Sequence, residues 1–89
     1  MEAQPVDLSA CLDIRVPELR DLSQSGCRLG MANPLPDGAE VRITIPGLPP
    51  RHASQRWSGD GEAGFAFHTL LSFNELSGWE RDHAARFSR

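Results

Sequence analysis

Asp21-Leu22-Ser23-Gln24-Ser25-Gly26 stands between two runs patterned as strands, one from Leu19 into Ser23 and one through Cys27, Leu29 and Met31. A polar Asp-x-Ser-x-x-Gly between such runs gathers a carboxylate, two hydroxyls and a glycine at one strand-to-strand corner. The Asp and Ser side chains can bond local backbone groups, and glycine permits a positive φ for a bulge or tight bend. The same groups can instead face a ligand. Turn chemistry accounts for them without one, and it is the reading the residues favour.

Working outward, residues 6 to 16 alternate without a break. Val6, Leu8, Ala10, Leu12, Ile14 and Val16 are apolar, and Asp7, Ser9, Cys11, Asp13 and Arg15 are polar or small. A period of two predicts one half-buried strand, which Pro17 and Glu18 end. The strand from Leu19 is expected to return antiparallel. Downstream, Asn33-Pro34-Leu35-Pro36-Asp37-Gly38 is a turn, and Ala39, Val41, Ile43 and Ile45 alternate with Glu40, Arg42 and Thr44 as the next strand. Pro46-Gly47-Leu48-Pro49-Pro50 is a connection, because its prolines cannot sit in a central ladder. Arg51 to Trp57 follows as a strand with Ala53, Gln55 and Trp57 on one side. Ser58-Gly59-Asp60-Gly61-Glu62 is a hairpin turn into Gly64 to His68. Short strands without a helix between them predict a small antiparallel barrel of six strands over residues 6–68.

The tail changes period. Ser72 and Glu75 form a capping box, and Phe73, Leu76, Trp79, His83 and Phe87 recur as one stripe of a helix over 72–87. A helix this short needs a docking surface, so the stripe is expected to plug one end of the barrel. The fold class is therefore mainly β with one C-terminal helix, in a single domain over 6–87 behind a flexible stretch at 1–5.

Composition narrows the function. Eighty-nine residues carry a net charge of −3 and 39% apolar residues, with nine Lys plus Arg that are all arginine. That balance argues against duplex nucleic acid, which needs a basic footprint. No apolar run reaches the length of a membrane span and no signal peptide opens the chain, so no membrane insertion and a cytoplasmic location are expected. Cys11 and Cys27 are read as free thiols, and the scattered His52, His68 and His83 lack metal spacing. With no nucleophile–base arrangement and no phosphate-cradling loop, the chain does not read as an enzyme. A nucleic-acid barrel would need aromatics interleaved with basic residues, whereas these strands expose Asp7, Asp13, Glu40 and Arg42.

The ordered succession of the Asp21–Gly26 corner, Leu35-Pro36-Asp37-Gly38-Ala39-Glu40-Val41-Arg42-Ile43, Ala53-Ser54-Gln55-Arg56-Trp57 and Ala63-Gly64-Phe65-Ala66-Phe67 resembles the PilZ domain, the small β-barrel module of bacterial cyclic di-GMP signalling. The resemblance covers about residues 6 to 68. It implies that Asp21, Ser23 and Gly26 contact a guanine, whose Watson–Crick donors a carboxylate accepts. The family's Arg-x-x-x-Arg motif ahead of the first strand, which holds phosphate and the other base, has no counterpart. Met1-Glu2-Ala3-Gln4-Pro5 occupies its place, and Arg15 and Arg20 are five apart rather than four. The chain is either a variant without the motif or lacks a preceding segment, and Met1 favours the first. Losing two charge-assisted phosphate contacts costs on the order of 10²- to 10⁴-fold in affinity. Arg20, Arg28 and Arg56 are the candidate substitutes. Trp57 either packs across the barrel mouth or offers a stacking face beside Arg56, and packing is favoured because one Trp is a large share of a small core. The resemblance thus implies a non-catalytic regulatory module without cofactor. It is expected to act as an adaptor for a regulatory protein partner and to bind cyclic di-GMP weakly or not at all. The alternative is a genuine receptor using Asp21, Ser23 and Gly26.

Overall fold

The computed structural model describes residues 4–10 and 13–83. It is mainly β, with one antiparallel sheet and one helix near the C-terminus. The strands are β1 (Gln4–Pro5), β2 (Asp7–Ala10), β3 (Asp13–Arg15), β4 (Glu18–Leu22), β5 (Gly26–Gly30), β6 (Glu40–Thr44), β7 (Arg51–Gly59) and β8 (Glu62–Phe67), followed by α1 (Phe73–His83). Their spatial order is β1-β4-β5-β8-β7-β6-β2-β3.

This corrects the expected six-stranded barrel in count and in closure. The sheet has eight segments, and among the described residues β1 pairs only with β4 and β3 only with β2. No ladder joins the two margins. The margin strand β1 is separated from β2, next to the other margin, only by Val6, whose N–H donates to the Pro17 carbonyl at 3.0 Å. Strand β1, Gln4–Pro5, lies at the end of the 1–5 stretch. Residues 1–3, together with Cys11 and Leu12, lie outside the described residues.

The single strand expected over 6–16 is two strands lying antiparallel, with Leu8 opposite Arg15, Ser9 opposite Ile14 and Ala10 opposite Asp13. Opposed residues share a face of the sheet. In this register even-numbered residues of β2 share a face with odd-numbered residues of β3. Apolar residues continue on even numbers, so those of β2 go inward while Ile14 and Val16 go outward. Val6, Leu8 and Ala10 are buried, while Ile14 is 74% and Val16 64% exposed.

The core lies on the inner face, where Leu8, Leu29, Ile43, Leu71 and Val6 are fully enclosed. Each such side chain contributes roughly 1.5–3 kcal/mol by leaving water. Gln55 is buried among them and fully bonded. Its Oε1 accepts from the Leu35 N–H at 3.1 Å, while its Nε2 donates to the Leu35 carbonyl and to Asp37 Oδ1 at 3.1 Å. It thereby holds the proline-rich loop on the sheet. At the β7–β8 hairpin, Asp60 and Gly61 both have positive φ, the backbone of a tight two-residue turn.

Helix α1 starts at the expected box. The Ser72 N–H donates to Glu75 Oε1 at 2.9 Å, and the Glu75 N–H donates to Ser72 Oγ at 3.0 Å. That bond to the Ser72 backbone holds the Glu75 carboxyl below its usual range, with Arg51 adding to the effect. Trp79 is the docking residue. It is buried and its Nε1 donates to the Pro46 carbonyl at 2.9 Å. Phe73, expected on the same stripe, is 72% exposed. Residues three apart slip about 60° around a helix, so with Trp79 facing inward Phe73 is carried some 120° away. The expected end of the helix at 87 falls outside the described residues, as do Phe87 and the His83 side chain.

Candidate functional site

Two strands carry one extra residue each, and these two residues set the site. In β4 the register shifts between Leu19 and Asp21, and in β7 between Gln55 and Trp57. The extra residues are Arg20 and Arg56. Such a bulge advances the chain by one without advancing the ladder, so the following side chain changes face. Leu19 opposes Leu29 in the core, but Asp21 opposes Arg28 on the outer face. Gln55 opposes Phe65 in the core, but Trp57 opposes Gly64 on the outer face. The sequence expectation of Gln55 and Trp57 on one side is corrected by this bulge.

Arg28 also pairs with Gly64, so Asp21, Arg28, Gly64 and Trp57 form one row across β4, β5, β8 and β7. Gly64 makes room for the indole: a Cβ built there would stand 2.1 Å from Trp57 Nε1. Trp57 stays 45% exposed, lying on the glycine rather than in the core. The row borders a cleft of about 290 Å³, whose walls also include Ser23, Ser25, Gly26 and Arg56.

The corner itself is stapled. Asp21 Oδ1 accepts from the Leu22 N–H at 3.0 Å, and the Ser23 N–H donates to the Gly26 carbonyl at 2.9 Å. Ser23 Oγ donates to the same carbonyl at 3.3 Å. Gly26 has no positive φ, contrary to the expectation for a bend. It is needed because a Cβ would lie 2.1 Å from the Phe65 carbonyl oxygen. The corner is also bound to the approach to α1, since the Leu71 N–H donates to the Gln24 carbonyl at 2.9 Å and Gln24 Nε2 donates to the Leu71 carbonyl at 3.0 Å.

Of the six candidate residues, the cleft brings together Asp21, Ser23, Gly26, Arg28 and Arg56. Arg20 is not among them. Its guanidinium lies over Gly30 and reaches Glu62 at 3.4 Å and Glu18 at 3.6 Å. Arg28 is drawn to Glu62 as well, at 3.6 Å. Arg56 makes no ion pair or hydrogen bond among the described residues and is exposed. Cys27 forms part of the wall, but burial pushes its thiol up to about 12, so it supplies no thiolate near neutral pH.

One further cluster carries no signal in the sequence. Ser54 Oγ, His68 Nε2 and the Glu40 carboxylate lie mutually within 2.8 to 2.9 Å on the outer face. A nucleophile relay needs the hydroxyl on one ring nitrogen and the carboxylate on the other. Here both address Nε2, which closes the triangle on itself. Among the described residues no group of three His, Cys, Asp or Glu could hold a metal ion, and no helix is long and apolar enough to cross a membrane.

Comparison with protein-family models and with curated proteins gives no match. The row of Asp21, Arg28, Gly64 and Trp57 therefore has to be read from its own chemistry. It offers a carboxylate at one end, an aromatic face at the other, and a cation beside each. Trp57 was the residue whose placement sequence reasoning missed. Counting back from the Asp60-Gly61 turn sets 59 against 62, 58 against 63 and 57 against 64, which puts the largest side chain against the smallest. That count was the available signal.

Proposed function

We propose that the chain is a non-catalytic regulatory module of PilZ type that works by contact with another protein and binds cyclic di-GMP weakly or not at all. The observation that carries this reading is the fate of the substitute arginines. Arg20 points away from the cleft to Glu18 and Glu62, and Arg28 shares Glu62. A phosphate arriving there has to compete with a carboxylate already in place, and only Arg56 is left without one. A mainly β chain with one antiparallel sheet and one helix near the C-terminus is consistent with that family. Asp21 and Ser23 serve their own turn, which explains their presence without a ligand.

A receptor reading is favoured by one specific observation: the exposed Arg56 lies beside the half-exposed Trp57 in the same cleft as Asp21. Asp21 and Trp57 are three strand spacings apart, roughly 14 Å along the sheet, so a single base cannot use both. A ligand with two bases could. Titration calorimetry with cyclic di-GMP separates the readings. The adaptor reading expects a dissociation constant weaker than about 10 μM. Submicromolar binding that Asp21→Ala abolishes, with the fold retained by circular dichroism, overturns it and establishes the receptor.

A further inference from the structure

Strand β3 is a margin of the sheet, paired only with β2 among the described residues. Its middle residue, Ile14, is 74% exposed, and Val16 just beyond it is 64% exposed. A second cleft of about 400 Å³ adjoins it, in which Val16, Pro17 and Met31 stand beside the polar Arg15, Glu18 and Asn33. Two exposed β-branched residues at a sheet margin are the reverse of how such margins are usually blunted. Charged residues also serve to blunt margins, but here their signs alternate: Asp13, Ile14, Arg15.

That order is self-complementary. When two copies of Asp13-Ile14-Arg15 run antiparallel about a two-fold axis at Ile14, residue 13 of each stands opposite residue 15 of the other. Both cross-strand pairs then join opposite charges and Ile14 meets Ile14. A parallel arrangement in register would set like against like. We propose that the β3 margin is a homodimer interface, in which β3 pairs antiparallel with β3 of a second copy and Ile14 and Val16 cover apolar surface of that copy. The inference is independent of what the Asp21–Trp57 cleft binds.

The test is charge reversal read by sedimentation equilibrium from micromolar to millimolar chain. Wild type is expected to associate to a dimer. Asp13→Arg places two arginines opposite two arginines and is expected to weaken the dimer by about tenfold to a hundredfold. The chain carrying both Asp13→Arg and Arg15→Asp restores opposite signs at both pairs and is expected to regain the dimer. Arg15 also donates to the Asn33 carbonyl, so Asp13→Arg is the primary variant. Where the double variant does not fold by circular dichroism, Ile14→Glu replaces it, and loss of the dimer is again expected. A wild type that stays monomeric at millimolar concentration overturns the proposal. So does a dimer that Asp13→Arg leaves unchanged.

Discussion

The outer face around Trp57 and the β2–β3 margin both depart from simple alternation, by opposite devices with opposite results. At β4 and β7 one inserted arginine shifts the ladder, and residues that would have pointed inward, Asp21 and Trp57, come out into a cleft. At β2–β3 nothing is inserted. The antiparallel register moves the even-numbered residues from the inner face to the outer one, and Ile14 is left in water. The first region is polar, stapled and flanked by strands on both sides. The second exposes aliphatic Ile14 and Val16 and, among the described residues, has a neighbouring strand on one side. A bulge builds a recess, whereas a register inversion builds an exposed apolar margin.

The sharpest way to break the comparison is to treat Leu8 and Ile14 alike. Both sit on even positions of one alternating run. Leu8→Ala should cost about 2–5 kcal/mol, the range for emptying a fully buried site, and Ile14→Ala no more than about 0.5 kcal/mol. Urea denaturation at low protein concentration measures both. Equal losses would place Ile14 in the core and undo the two-strand register.

Next come the two glycines that line the cleft. Gly26→Ala drives a methyl group into the Phe65 backbone carbonyl and should cost about 3 kcal/mol or more. Gly64→Ala meets only the indole of Trp57, a side chain free to turn outward, and should cost about 1 kcal/mol. Thermal unfolding gives both values, and acrylamide quenching of tryptophan fluorescence should rise for Gly64→Ala alone. An unchanged quenching constant would show that Trp57 does not rest on Gly64.

The smallest expected effect lies at the helix cap. The folded-state carboxyl of Glu75 titrates below its ordinary value, chiefly through the bond from the Ser72 backbone. Its contribution is therefore present above the unfolded carboxylate range and is lost as pH falls through the folded pKa. Glu75→Gln keeps a side chain that can still accept the Ser72 N–H but no longer titrates. Melting temperatures of wild type and variant, measured from neutral to acidic pH, should converge on the acid side. Parallel curves across that range would remove Glu75 from the pH dependence.

The helix cap and the β7–β8 turn were legible in the sequence because each is local. Ser72 and Glu75 are three apart, and Asp60-Gly61 needs only its own backbone to adopt positive φ. The alternation of Ala39 to Ile45 was legible for the same reason, since Val41, Ile43 and Ile45 all reach the core from one uninterrupted stretch. Asp21, Ser23 and Gly26 followed from the ordered resemblance, while Arg28 and Arg56 were named as substitutes for its missing arginines; one cleft is lined by all five. Arg20 was misplaced because its partner, Glu62, lies 42 residues away and nothing local announces it.

By itself, then, the sequence determined a β-rich chain with one capped helix, the turns between its strands and a polar corner at 21–26. Only the tertiary structure decided which face each alternating residue takes. A period of two defines two sets of side chains, but it does not say which set goes inward once the ladder shifts or the chain reverses. That choice is made by cross-strand pairing: Leu19 with Leu29 before Asp21 with Arg28, Gln55 with Phe65 before Trp57 with Gly64, and Ser9 with Ile14. These partners lie only five to ten residues apart, but which register they take is selected by the summed burial of the core, and no short stretch of sequence contains that sum.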